Sequence, residues 1–187
     1  MSWLLSGILL WGLIHAIPIY APVTRAQVIT SVGVWPYKAL FAIALLGTIN
    51  MIVQGWIDCA PETLFIPNPT LFYATRILML PVTILLVAGF LPTNLKRYIR
   101  HPQLTGIVLW GVAHLLSNQD LRSYLLFGGM IVWAILMIIG INKRDGAWEK
   151  PEKVSYFKDI ILLIVSVLVC ITLSITHIYF TGTYVTG

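Results

Sequence analysis

The chain has 187 residues, of which 58% are hydrophobic and only 10% charged, with a mean hydropathy of +0.88. Soluble domains carry roughly 25% charged residues, so this chain could not cover its apolar surface with polar groups, which excludes a water-soluble globule. Twelve Lys and Arg against seven Asp and Glu give +5, but the basic residues sit in short segments between apolar runs, which marks membrane orientation and excludes the continuous basic face of a nucleic-acid binder.

A helix crossing the hydrocarbon core needs about 20 mostly apolar residues. Runs near that length fall at residues 3–20, 38–57, 71–91, 102–116, 121–141 and 159–180. The fourth is short and needs its flanks or a locally thin bilayer. Breakers separate the runs: Pro18 and Pro22, then Pro61, Pro67 and Pro69, Pro92, Pro102, and finally Gly146 and Pro151. The pattern predicts an all-α integral membrane protein, one domain of six transmembrane helices over residues 1–187.

Loop charges set the orientation. Ten Lys and Arg (Arg25, Lys38, Lys96, Arg97, Arg100, Lys143, Arg144, Lys150, Lys153 and Lys158) fall on one side, and only Arg76 and Arg122 on the other. Loops one, three and five are therefore expected in the cytoplasm and both termini outside it, in a bacterial inner membrane. The amino-terminal run reads as a span and not a cleaved signal, because its first positive charge, Arg25, follows the apolar stretch. Cys59 falls in an outer loop and Cys170 inside the sixth span, so no disulfide is expected, and no CxxC spacing marks a zinc site.

Residues 7–15 read GILLWGLIH and residues 106–114 read GIVLWGVAH. Gly7/Gly106, Ile8/Ile107, Leu10/Leu109, Trp11/Trp110, Gly12/Gly111 and His15/His114 are identical. The copies lie on the first and fourth spans and would run in opposite directions, which marks a candidate 3+3 inverted repeat. With entry near Trp3 and Pro102, each histidine lies about 18 Å into the membrane. The hydrocarbon core is about 30 Å thick, so both imidazoles fall near its midplane, differing by about 6 Å in depth.

Each Gly, Trp and His of the motif shares one helix face. Gly12 and Gly111 beside an inward imidazole leave a slot for a flat group, which Trp11 and Trp110 could bound. Two histidines at one level then suit a b-type haem, with His15 and His114 as iron ligands and reaction centre. No CxxCH marks covalent attachment. Alternatively, such a histidine hydrogen-bonds a neighbouring helix and the glycines permit close packing. Zinc lacks a third acidic or thiol ligand at the same depth.

Other polar residues admit two readings. His101, before Pro102, either meets a haem propionate or proton path, or is a helix-start residue. Arg76 pairs with a propionate or substrate, or snorkels to the headgroups. Asn118, one turn after His114, orients the imidazole or forms the turn. His177 near the end of the sixth span is expected to be an interfacial anchor.

At GLIHAIP (12–18), MLPVTILLVAGFLP (79–92), HPQLTGIVLWGVAHLLSNQD (101–120) and LLFG (125–128), the chain resembles the NnrU family. The resemblance covers roughly residues 3–145, with the helix at 159–180 an addition. That bacterial family is linked by name and gene context to nitrite and nitric oxide reduction, hence to denitrification, and is related to plastid zeta-carotene isomerase, a haem b enzyme acting on a carotenoid double bond. The resemblance implies that His15 and His114 are haem ligands. The plastid enzyme has a cysteine three residues before its second ligand where this chain has Gly111, so ligand exchange through that thiol is absent here. The expected function is a redox-gated cis–trans isomerase of a polyene or other lipophilic substrate. The alternative is a non-enzymatic haem component, a redox or nitric-oxide-linked accessory protein. Membrane lipid and a quinol or other redox partner are the expected associates.

Overall fold

The computed structural model describes residues 1–66 and 68–182; Pro67, one of the expected breakers, lies outside them. Among the described residues every regular element is helical. The chain divides into two compact units, Met1–Ala60 and Pro61–Gly187.

The first unit holds α1 (Ser2–Tyr20), α2 (Pro22–Val32) and α3 (Val34–Ile57). Pro22 opens α2, where its fixed φ suits a helix start and its missing N–H costs nothing. Gly33 at φ +91° separates α2 from α3, a left-handed turn that a residue with a Cβ enters only with strain. α2 falls within the stretch expected to be a loop. Its sequence PVTRAQVITSV buries no residue, so no apolar face announced it; local propensity and the proline start suffice to form it. α1 packs on α3 through glycine: a Cβ on Gly55 would run into the backbone of Leu4, and one on Gly7 would approach Ile52 Cγ1 to 2.8 Å. Leu4 is fully buried as a result.

The second unit begins with α4 (Pro69–Ala88), followed by a short 3₁₀ turn (Asn94–Arg97) and α5 (Pro102–Ser117). α6 (Leu121–Ser123) runs through a π-helical segment (Tyr124–Gly128) into α7 (Gly129–Asp145), and α8 (Tyr156–Thr181) ends the described chain. Side-chain caps fix several starts: Asn68 accepts from Thr70 N at 2.9 Å and Asp120 from Ser123 N at 3.0 Å, meeting amide groups that a helix leaves unpaired. α4 and α5 are joined by Thr75, whose hydroxyl donates to Ala113 O across 2.7 Å. α4 meets α8 at Val87, Ala88 and Leu162. A polar clamp lies beyond that contact: Asp159 accepts from Thr93 Oγ1 (2.6 Å), Asn94 N (2.9 Å) and Asn94 Nδ2 (2.6 Å). Segment 62–64 runs beside 119–121, with Leu64 N donating to Gln119 O and Leu121 N to Glu62 O.

Among the described residues five helices are long and apolar enough to cross a membrane: Ser2–Tyr20, Val34–Ile57, Thr70–Ala88, Leu121–Asp145 and Tyr156–Thr181. The stretch expected to be the fourth of six spans forms α5, but α5 has only 16 residues. At about 1.5 Å per residue it covers roughly 24 Å of a core about 30 Å thick. Large apolar side chains on the long helices point outward, among them Leu9, Ile43, Ile77, Leu136 and Ile164, as a lipid-facing surface requires.

The glycine contacts in the first unit carry a prediction. Gly55→Ala should lower stability by about 1–3 kcal/mol, because the clash is with backbone and cannot be relieved by a rotamer. Gly47→Ala, where nothing lies within 4 Å, should be neutral or stabilising by up to about 1 kcal/mol. Unfolding of the two variants in detergent measures the difference.

Candidate functional site

Both motif histidines sit in the same local arrangement. His15 Nδ1 donates to Trp11 O at 2.9 Å, and His114 Nδ1 donates to Trp110 O at 2.9 Å. A carbonyl oxygen only accepts, so the ring proton is on Nδ1 and Nε2 carries the lone pair. A metal needs this nitrogen, and the hydrogen bond at the other one fixes ring direction and raises basicity. The Trp rings lie close to the imidazoles they hold: 4.3 Å between centroids for Trp11 and His15, and 5.0 Å for Trp110 and His114, both tilted.

Each imidazole has a further aromatic neighbour from its own unit. Phe41 on α3 meets His15 edge-on at 5.9 Å. Phe127, in the π-helical segment, stacks on His114 at 4.5 Å with planes 28° apart. Phe127 also meets Trp110 edge-on at 4.9 Å. A π-bulge shifts the register of the residues around it, and here it carries the ring that covers one face of His114. The sequence reading did not single out Phe41 or Phe127, although LLFG (125–128) contains the latter.

The glycines serve packing. A Cβ at Gly106 would meet Leu85 Cβ at 3.1 Å and Leu86 Cδ2 at 3.2 Å. One at Gly111 would meet Ile131 Cγ1 at 2.5 Å and Phe127 O at 3.0 Å. The space beside Gly111, expected to be an open slot, is therefore taken by Ile131 of α7. Gly12 is half-buried on α1.

Within the second unit a cavity of about 270 Å³ opens between α4, α5 and α8. It gathers four of the expected site residues, Arg76, Trp110, His114 and Asn118, and adds His177 from α8. His177, expected to be an interfacial anchor, thus shares a cavity with His114; Cys170 and Ser174 lie on the same α8 face. Arg76 holds its guanidinium 5.8 Å from the centre of the Tyr73 ring. Asn118 bonds the backbone of His114: its Nδ2 donates to His114 O at 2.9 Å, closing the end of α5. His101 stands at the opposite end of α5, where its Nε2 pairs with Asn142 Oδ1 at 2.9 Å, tying α5 to α7. His15, Trp11 and Gly12 belong to the first unit. Among the described residues no three His, Cys, Asp or Glu gather as a metal cage.

These features define a helical protein of membrane type that carries two imidazoles, each held by its own Trp carbonyl. The chain matches the NnrU family, described as NnrU protein, over residues 3–185, and belongs to that family. The match runs through α8, further than the stretch 3–145 over which the sequence motifs carried the resemblance. No curated protein and no solved structure matches the chain.

Gly111→Ala should cost about 1–3 kcal/mol through overpacking against Ile131 and the Phe127 carbonyl. In the double variant Gly111→Ala/Ile131→Ala the combined loss should fall below the sum of the single losses, because the variants share one clash. Stability of the four proteins in a double-mutant cycle reads the coupling.

Proposed function

We propose that this protein is a haem-binding integral membrane protein, with His15 and His114 as the residues that would hold one b-type haem. The carrying observation is the matched pair of Nδ1–H···O=C bonds to Trp11 and Trp110. They make Nε2 the lone-pair nitrogen of both rings, the donor chemistry that a haem iron takes. This donor chemistry is what supports the reading. When bound, the haem would supply an iron able to change oxidation state and to act as a Lewis acid.

The leading activity under this reading is cis–trans isomerisation of a polyene or another lipophilic molecule. The chain's own contribution is positional. Trp11 and Trp110 orient the ligand rings, Phe127 shields one face of His114, and Met79, Val82 and Leu86 give the cavity an apolar wall that excludes water. Family relation to zeta-carotene isomerase supports the assignment. A second reading, a non-enzymatic redox or nitric-oxide-linked accessory protein of denitrification, is favoured by one observation: Ile131 fills the space at Gly111, so no ligand-exchanging side chain has room there. A quinol would then be the electron source.

The same reading makes α5 the fourth of six spans and takes residues 7–15 and 106–114 as inverted copies. Ten basic residues on one side of the apolar runs against two on the other support an orientation with both termini outside the cytoplasm, and the bacterial family supports an inner membrane.

Three experiments test these statements. Purified protein should show a Soret band that His15→Ala and His114→Ala each abolish, with helix content unchanged by circular dichroism; a band that survives both substitutions removes the proposal. Conversion of a supplied polyene selects the isomerase, whereas fast electron exchange with quinol and no isomerisation selects the accessory role. Alkaline phosphatase fused to either terminus should be active, and the same reporter inserted after Lys150 should be inactive.

A further inference from the structure

Another cavity of the second unit, of about 380 Å³, opens where α4, the 3₁₀ turn and α8 meet. Its floor is aliphatic: Ile84 from α4, Leu95 from the turn, and Leu162 and Leu163 from α8. Tyr98 and Tyr156 line it too and are 78% and 67% exposed, so the two rings stand at its mouth. Tyr156 begins α8, and Leu163 lies two turns further on, about 10 Å along the axis. The groove thus runs from a helix start, rimmed by rings of the kind that settle at a membrane interface, to the depth at which acyl chains lie.

The polar groups lining this groove are bound to one another. Asp159, the one carboxylate among the described lining residues, accepts from Thr93 Oγ1, Asn94 N and Asn94 Nδ2. Asn94 Oδ1 in turn accepts from Val154 N at 3.0 Å, and Thr93 Oγ1 from Leu95 N at 3.1 Å. The aliphatic floor, the two rings and the cations around them are left to meet a ligand. Lys153 holds its ammonium 4.7 Å from the centre of the Tyr156 ring. The segments that frame the mouth, residues 92–100 and 142–159, carry eight Lys and Arg against four Asp and Glu. Arg100 Nη1 joins them by donating to Gly146 O at 2.8 Å, and Asp145 is tied to Arg144. The mouth is therefore net positive above an apolar trough.

We infer that this groove is a docking site for an anionic glycerophospholipid, with one acyl chain on Ile84, Leu95, Leu162 and Leu163 and the phosphate at Lys153 beside Tyr156. Charge complementarity selects the headgroup, because a cation next to a membrane span attracts anionic lipid over zwitterionic lipid. The Tyr156 ring gives the Lys153 ammonium a seat at the mouth, where a cation over a ring gains a favourable contact. The groove lies wholly within one unit and shares no lining residue with the cavity at His114, so it stands independently of the haem reading.

The test is native mass spectrometry of the purified full chain in detergent, supplied with equal amounts of phosphatidylglycerol and phosphatidylcholine of the same acyl chains. Phosphatidylglycerol should be retained over phosphatidylcholine by about fivefold, the factor one cation near the membrane surface is worth. Lys153→Gln should bring that ratio to about one. Lys150→Gln removes the same charge from a lysine seated over Trp148 and should leave the ratio unchanged. Leu163→Trp, which fills the floor, should lower retention of both lipids, and sn-glycerol 3-phosphate, the head without chains, should displace neither. Circular dichroism checks that each variant keeps its helix content. Equal retention of the two lipids by the unaltered protein, an equal fall in ratio for Lys150→Gln and Lys153→Gln, or retention untouched by Leu163→Trp overturns the proposal. Displacement by sn-glycerol 3-phosphate would give the mouth to a soluble phosphate and overturn the lipid assignment.

Discussion

A carbonyl inside a helix accepts hydrogen bonds and never donates one, and that rule governs the chemistry available here. The oxygens of Trp11 and Trp110 each take the Nδ1–H of the histidine four residues on, using the lone pair that the helix ladder leaves over. The bond fixes the tautomer, and with it the nitrogen that any ligand meets. It needs no partner from another helix. The arrangement therefore travels with the sequence W-x-x-x-H, which is why both units display the same ring posture although α1 packs on α3 and α5 packs on α4. In a wall with few polar atoms, a local clamp of this kind is also the least expensive way to keep an imidazole satisfied.

The remaining polar groups follow the same economy. Thr30, Thr83, Thr172, Ser174 and Thr176 return their hydroxyls to carbonyls three or four residues back. Among the described residues, side chains that reach between elements include Thr75 to Ala113, His101 to Asn142, and the Asp159 clamp on Thr93 and Asn94. Apolar contact and close glycine packing, as at Gly55 and Gly111, carry the rest. A substitution in this protein is therefore felt through shape more than through lost hydrogen bonds, except at those links.

The helical class and five of the long spans were legible because a run of about 20 apolar residues has few other uses. α5 was found at its correct start because Pro102 announces it, but its 16 residues leave its passage across a membrane open. α2 was missed because PVTRAQVITSV has neither an apolar run nor a buried face. The histidine pair and the neighbouring tryptophans could be read because a four-residue spacing is itself the contact. The partners of His114 could not. Phe127 and His177 come from α6–α7 and α8, more than ten residues away in sequence, and nothing local in either segment says which helix it meets. Gly111 illustrates the same limit: sequence gives the missing Cβ, while only packing tells that Ile131 occupies the gap.

That occupied gap bears on what the second motif copy is for. Gly12 and Gly111 are identical by alignment, yet for Gly111 the glycine is required by the approach of Ile131 and of the Phe127 carbonyl, and these come from a helix distorted by a π segment. The distortion brings Phe127 onto His114, and the close approach holds it there. Glycine, π segment and stacked ring thus form one mechanical set around one imidazole, with Trp110 fixing its tautomer and Asn118 closing the helix behind it. On His15 the same bond to Trp11 O fixes the tautomer, and Phe41 of α3 stands edge-on at 5.9 Å.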